Sequence, residues 1–445
     1  MSSKPVIDFA SGFPATSLLP ADRLKEAATS VLSNQIVWQP GLIYGPDEGF
    51  FPLRENISSW LTRYYKPANP ISADRICITG GASQNLANIL QVFTDPVKTR
   101  KIWVIEPAYF LAFRIFEDAG FNGKMHGVIE DAEGVDIAFL EKALEAEREE
   151  YRASGSFQTS VKCDQQIKAS CDYRKLYSHI IYCVPTFSNP SGAIMSRPRR
   201  EALLRLARTY DALIISDDVY DFLNWSSDPE IETQSQSTTA ILRIVDLDRT
   251  LDGGPRDGFG NAVSNGSFSK ILGPGCRVGW AEGTEKFIYG LCQSGSTRSG
   301  GAPSQLMSTF VNDLMMSGSL EDHMASTIQA YRRRYFTMFS AIETQLLPLG
   351  VSFNPSLVSS ATAGGIFFWL KLPSPLTAKH VADYARREEN IIFGIGPSFS
   401  LPEGNVRFDE FEDMIRLCFS YAEEASLIYG VAQLARIVRK LLEEQ

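Results

Sequence analysis

Between residues 75 and 270 the sequence alternates short apolar runs with amphipathic stretches, and this alternation leaves few architectures open. The runs R-I-C-I-T (75–79), K-I-W-V-I-E (101–106), S-H-I-I-Y-C-V (178–184), A-L-I-I-S-D-D (212–218) and A-V-S-N-G-S (262–267) are too short for helices, and most are apolar on both faces. Helical spacing separates several of them, to about residue 93, from 136 to about 151 and from 198 to 210. Strands joined by helices predict a mostly parallel sheet covered on both faces. The loops that follow such strands gather at one edge of the sheet, which is where ligands bind.

Past residue 304 the pattern changes. A long amphipathic stretch (320–346) precedes the run G-I-F-F-W-L-K-L, a helix over 377–389 and the strand M-I-R-L-C-F-S. The last helix carries a stripe of Leu427, Val431, Leu434, Val438 and Leu441, and Ser420 with Glu423 reads as its capping box. These elements predict a second, smaller α+β domain, and 445 residues with 44% hydrophobic content can bury two cores. Two stretches stand outside the pattern. Residues 152–175 read as a polar surface insertion, and 225–260 as irregular apart from one strand, R-I-V-D-L.

Charge and composition narrow the function. A net charge of -9 argues against nucleic acid and anionic membrane surfaces as partners. The start M-S-S-K-P-V-I-D-F lacks the apolar core of a secretory signal and no run reaches transmembrane length, so a soluble, cytoplasmic protein is expected. Seven cysteines without C-x-x-C spacing and four isolated histidines argue against a disulfide framework, a zinc site or a histidine triad.

The stretch S-F-S-K-I-L-G-P-G-C-R-V-G-W (267–280) carries the chemistry. Lys270 sits between a strand end and a turn made by Gly273, Pro274 and Gly275. A fixed amine of lowered pKa attacks an aldehyde and forms a Schiff base. Ser267, Ser269 and Arg277 could hold a phosphate dianion, and aldehyde plus phosphate suggests pyridoxal phosphate. Taken alone, the stretch is also compatible with a surface lysine beside a structural turn.

Other candidates fall on the loops after strands. Gly81, Ala82 and Ser83 open a helix whose free N–H groups suit a phosphate. Tyr109, in E-P-A-Y-F, could stack on a flat ligand or simply pack. Asn189 lies in the turn P-T-F-S-N-P-S-G. Asp217 ends a buried strand three residues before Tyr220, and a carboxylate there needs a cationic partner, a lysine or a protonated ring nitrogen. Tyr44 lies in a glycine-rich loop. Arg416 interrupts an apolar strand, as a ligand for a carboxylate or as a salt-bridged residue of an edge strand.

Together the motifs G-P-D-E-G-F-F-P-L-R, T-G-G-A-S-Q-N-L, E-P-A-Y, N-P-S-G, D-x-x-Y, S-F-S-K with its arginine, and R-L-x-F-S resemble, in order and over nearly the whole chain, the fold-type I class I/II aminotransferases near the kynurenine/2-aminoadipate and aromatic enzymes. The resemblance implies an aspartate-aminotransferase-like α/β fold, with 1–40 as an arm and part of the small domain, 41–303 as the large cofactor-binding domain and 304–445 as the small one. It implies pyridoxal 5'-phosphate, with Lys270 as the Schiff-base lysine and proton shuttle. Asp217 would keep the ring nitrogen protonated, Asn189 and Tyr220 would bond the ring 3-oxygen, and Tyr109 would stack on the ring. Ala82, Ser83, Ser267, Ser269 and Arg277 would hold the phosphate; Ala82 stands where relatives often have serine. Arg416 would take the substrate α-carboxylate, with Gly12 and Asn189 beside it.

A tyrosine matching Tyr44 reaches the neighbour's phosphate in such enzymes, which implies a C2 homodimer with shared sites. The reaction implied moves an amino group between an aromatic or 2-aminoadipate-like L-amino acid and a 2-oxo acid. C–S β-elimination on the same cofactor is the alternative; a third reading, a non-catalytic sensor fused to a DNA-binding domain, is disfavoured because it needs an added basic helix-turn-helix module and the core here is expected to begin within a dozen residues. Arg298 either reaches a distal substrate carboxylate across the dimer or sits at the surface, while Phe13 and Phe399 suit an aromatic side chain.

Overall fold

The computed structural model describes residues 4–153, 167–231, 241–353, 361–402 and 411–444. Most of the insertion expected at 152–175 lies outside them, as does part of 225–260. Strands are numbered in chain order: β1 (Ile7–Phe9), β2 (Ile76–Thr79), β3 (Lys101–Glu106), β4 (Met125–Asp131), β5 (Gly134–Val135), β6 (His179–Cys183), β7 (Ala212–Asp217), β8 (Asn224–Ser226), β9 (Ala262–Ser267), β10 (Gly279–Glu282), β11 (Ser352–Phe353), β12 (Thr362–Gly364), β13 (Phe367–Lys371), β14 (Ile391–Ile395) and β15 (Met414–Cys418).

Among the described residues an eight-stranded sheet runs β2-β10-β9-β7-β6-β3-β4-β5. The five strands from β9 to β4 pair in parallel, and β10 runs antiparallel to both of its neighbours. All five residues of β6 and all six of β7 are buried, the burial required of strands covered on both faces. One face packs Leu86, Leu90, Phe93, Phe113 and Phe116 from helices, and the other packs Leu140, Leu203, Leu204 and Ala207.

A second, five-stranded sheet runs β1-β14-β15-β13-β11. Its core takes the C-terminal helix Glu424–Glu443, whose stripe of Leu427, Val431, Leu434, Val438 and Leu441 is buried as expected. Two hydrogen bonds tie the sheets together beside the cavity described below: Ala108 N–H donates to Phe399 O at 2.8 Å, and Leu401 N–H donates to the Glu106 carboxylate at 2.5 Å. No helix of the described residues is long and apolar enough to cross a membrane.

Local structure differs from expectation in three places. R-I-V-D-L is not a strand but the helix Ile244–Asp248. A short apolar run fits either period, and here Asp246 decides, accepting from the Arg243 N–H at 3.1 Å and from its guanidinium at 3.0 and 2.9 Å, which closes a helical turn. Ser420 and Glu423 do not form a capping box. Glu423 is itself the N-cap and accepts from Ser17 Oγ and Arg334 Nη2, each at 2.7 Å, while Ser420 Oγ donates to Phe13 O at 2.9 Å. Strand β15, which carries Arg416, is no edge strand but lies between β13 and β14.

Candidate active site

The loops after β2, β3, β6, β7 and β9 open into one cavity of about 290 Å³, closed on the other side by the N-terminal segment, β13 and β15. The order of strands in space, not in sequence, brings these ends together.

Lys270 follows β9 in a single 3-10 turn, Phe268–Lys270, in which Ser267 Oγ accepts from the Ser269 N–H at 3.1 Å. The turn points the amine into the cavity, where Nζ donates to Gly12 O at 2.6 Å. Burial lowers its pKa to about 8, helped by Arg416 and opposed by Cys418 and Asp217. At pH 7 about a tenth of this amine is therefore uncharged, far more than for an ordinary lysine.

Asp217 is the last residue of β7. Burial raises its carboxyl to about 7 and neighbouring Asp218 adds to that; hydrogen bonds from Tyr182 and Asn265 and the charge of Lys270 pull the other way. Tyr182 Oη donates to Oδ2 at 2.9 Å and Asn265 Nδ2 to Oδ1 at 3.2 Å. Tyr220 and Tyr109 line the same cavity, and burial pushes both phenols up, so each is a neutral hydrogen-bonding group. Tyr109 lies two residues ahead of the helix Leu111–Phe116.

The phosphate candidates cluster at one end. Gly81, at φ +97°, turns the chain from β2 into the helix Ala82–Phe93, and a Cβ there would sit 2.7 Å from Arg277 Nη2. Only glycine leaves the backbone N–H groups of Ala82 and Ser83 and the Arg277 guanidinium this close. Arg277 Nη2 donates to Gly80 O at 2.5 Å, and Ser267 Oγ donates to Ser269 Oγ at 2.9 Å. A helix start, two hydroxyls and a guanidinium form a donor set that suits a phosphate dianion. With a buried acid and a lysine of lowered pKa elsewhere in the same cavity, the residues present fit pyridoxal phosphate.

At the other end Arg416 donates through Nη1 to Asn189 Oδ1 at 2.8 Å and through Nη2 to Ala10 O at 2.5 Å, while Nε is buried with no hydrogen-bond partner among the described residues. Its guanidinium carbon lies 4.1 Å from the Phe367 ring centroid and 4.9 Å from that of Phe399. Gly12 is held close to Phe367, since a Cβ on it would fall 2.7 Å from that ring.

Two candidates lie apart. Tyr44 is 83% exposed on a loop outside the cavity. Arg298 is exposed too and pairs with Asp47 of the same chain. Phe13 lines the cavity, whereas Phe399 is buried behind Arg416. Sequence reasoning missed Tyr182, Asn265 and Asn85, which support Asp217. The signal available was a polar side chain within each of two fully buried strands and one in the first turn of a helix.

The sequence profile described as Aminotransferase class I and II matches residues 4–429. An uncharacterized protein of Saccharomyces cerevisiae is 33% identical, over 96% of this chain and 95% of its own. Aromatic-amino-acid aminotransferase 1 of Thermococcus litoralis is 27% identical, over 99% of this chain and 89% of its own. Among solved structures, the Pyrococcus horikoshii kynurenine aminotransferase, in complex with PMP and with kynurenine as substrate, aligns at a TM-score of 0.74 and 26% identity, covering 99% of this chain and 92% of that one.

Proposed function

The chain belongs to the class I and II aminotransferases and is a pyridoxal-phosphate-dependent transaminase, and on that premise we propose that it moves an amino group between an aromatic or 2-aminoadipate-like L-amino acid and a 2-oxo acid. The observation that carries the assignment of roles is the convergence of Lys270, Asp217, Asn189 and Arg416 on one cavity. When bound, pyridoxal phosphate supplies an aldehyde that condenses with amines and a protonated ring that withdraws electrons from the carbon bearing the nitrogen.

The protein's part is placement and proton handling. Ala82, Ser83, Ser267, Ser269 and Arg277 bind the phosphate, with Ala82 contributing its backbone N–H. Asp217 would hold the proton on the ring nitrogen, Asn189 and Tyr220 would donate to the ring 3-oxygen, and Tyr109 would pack against the ring. Arg416 takes the substrate α-carboxylate in a two-pronged contact beside Gly12 and Asn189. Lys270 would exchange a proton with the substrate Cα, a role that its lowered pKa suits.

Aromatic side chains are favoured by Phe13, Phe110 and Leu111 at the cavity and by the named relatives. A homodimer sharing its sites is part of the same proposal. Ile36, Leu42, Ile43 and Tyr44 are all exposed, an apolar surface that a second copy would cover, bringing Tyr44 to the partner's phosphate. The division into 1–40, 41–303 and 304–445 is likewise proposed, supported by β1 joining the sheet formed by β11 and β13–β15.

An amino-donor screen with 2-oxoglutarate as acceptor tests the reading. Glutamate should form from aromatic donors and 2-aminoadipate, and Lys270→Ala should lose activity by about 10²–10⁴-fold. Pyruvate and a thiol released from cysteine conjugates, with no glutamate formed, would mark elimination instead.

A further inference from the structure

Two side-chain amides link Asp217 to the helix start that carries the phosphate donors. Asn265 and Asp217 are direct neighbours in the parallel ladder between β9 and β7. Asn265 Nδ2 donates to Asp217 Oδ1 at 3.2 Å and to the carbonyl of Ala82, the first residue of the helix Ala82–Phe93, at 3.0 Å. Its own Oδ1 accepts from Asn85 Nδ2 at 2.8 Å. The partners fix the orientation: a carbonyl and a carboxylate both need a donor, so the amide nitrogen faces them and the oxygen is left for Asn85. Asn85 belongs to the first turn of the same helix, its N–H bonded to Gly81 O at 3.1 Å. Both asparagines are buried, Asn85 at 0% and Asn265 at 1% exposure.

Burying two primary amides is costly unless their bonds are made, and an apolar pair would fill this space without that cost. What an apolar pair could not do is span the gap. Asn265 bonds at once to the acid at the end of β7 and to the helix start where the phosphate donors lie. A donor shared between two fixed acceptors holds their separation, and binding sites lose affinity when their parts are misplaced by fractions of an ångström.

We propose that Asn265, seated on Asn85, is a positioning residue that holds Asp217 in register with the first turn of the helix Ala82–Phe93, so that the ring-facing and phosphate-facing parts of the site engage one ligand together. This rests on the cofactor reading above. The Asn265 bond also favours the charged form of Asp217.

The test compares pyridoxal phosphate with pyridoxal, which lacks the phosphate, by titrating each into the cofactor-free full chain. In the parent the phosphate should tighten binding strongly. In Asn265→Leu that advantage, the ratio of the two Kd values, is expected to fall about tenfold, and in Asn85→Leu by a few-fold. Asn265→Asp places a second carboxyl against Asp217 and the Ala82 carbonyl. It should lose more than the leucine variant at pH 8 and recover as the pH falls and one carboxyl gains a proton, a pH signature that a merely structural role would not produce.

If Asn265→Leu does not fold, Asn85→Leu, which leaves Asp217 untouched, decides. A parent-like ratio in folded Asn265→Leu and Asn85→Leu overturns the proposal alone. A parent that binds neither vitamer overturns the cofactor reading and this proposal with it.

Discussion

Arg416 Nη1 lies 2.8 Å from Asn189 Oδ1, a bond that joins the middle strand of the five-stranded sheet to the loop after β6 of the eight-stranded one. With Phe367 and Phe399 against the guanidinium, its plane is set by protein contacts alone. An arginine fixed in this way presents a rigid fork, which a lysine cannot copy. Arg416→Lys keeps the charge and loses the plane. The KM for amino acid substrates is expected to rise about 10- to 100-fold, as for loss of a charged hydrogen bond, with a smaller change in kcat. Steady-state kinetics would show it, and an unchanged KM with a reduced kcat would count against carboxylate binding here.

The Asp217 carboxyl predicts how the stability of the cofactor-free chain depends on pH. Its folded pKa, raised to about 7 mainly by burial, exceeds the ordinary aspartate value of 3.8. Between these values the folded state holds a proton that the unfolded chain has released, so its contribution to stability falls as pH rises, and the deficit is complete above about 7. The amide introduced by Asp217→Asn cannot ionise and still accepts from Tyr182. The substitution should therefore raise the melting temperature of the cofactor-free protein at pH 8, by a stabilisation on the order of a few kcal/mol, and the difference should shrink toward pH 4. Lys270 acts above that window. Its pKa is lowered from 10.5 to about 8, so stability recovers as pH rises from about 8 to 10.5. Melting scans of both proteins from pH 4 to 8 check the prediction, and a gap that widens on acidification would contradict it.

Arg243 is 1% exposed, donates to Asp246 at 2.9 Å and forms an ion pair with Glu282 at 2.6 Å, with the Tyr65 ring 4.0 Å from its guanidinium. Glu282 is fully buried on β10. Arg243→Met removes the cation and leaves two buried carboxylates, so a loss of about 3–5 kcal/mol is expected. Adding Glu282→Gln should recover part of it, because one uncompensated charge is then gone. Urea unfolding at pH 8 measures both, and a single variant as stable as the parent would mean that these acids find other partners.

Arg298 is neutralised by Asp47 at the surface of the same chain. Exposed pairs of this kind contribute about 0–1 kcal/mol. Arg298→Ala is expected to leave kcat/KM for 2-aminoadipate and for phenylalanine within about threefold of the parent's, a change inside that energy range. Selective loss of 2-aminoadipate turnover would instead show that Arg298 reaches a distal carboxylate, as expected were a homodimer to share its sites.

Much of the site was legible because motif and strand end coincide. Lys270, Asp217 and Asn189 each follow or close a short apolar run, and runs joined by helices deliver their loops to one edge of a sheet. R-I-V-D-L misled because three apolar residues in a run of five fit either period, and the bonds between Arg243 and Asp246 settled it. Ser420 and Glu423 have the spacing of a capping box, but each found a partner from the N-terminal segment, Phe13 and Ser17, more than 400 residues away in sequence. Asn85 and Asn265 are 180 residues apart, and no local pattern links them.

By itself the sequence determined the kind of chain this is: its alternation of strands and helices, the lysine between a strand end and a turn, and the acids closing a buried strand. These are local properties, written in hydrophobic period and turn chemistry. The tertiary structure alone decided which groups meet. It put Arg416 on an interior strand against Asn189, brought the Gly12 carbonyl to Lys270, and left Tyr44 and Arg298 facing outward. The reason is physical: contacts between distant segments follow from how two sheets and their helices bury apolar surface together, and that packing is a property of the whole chain.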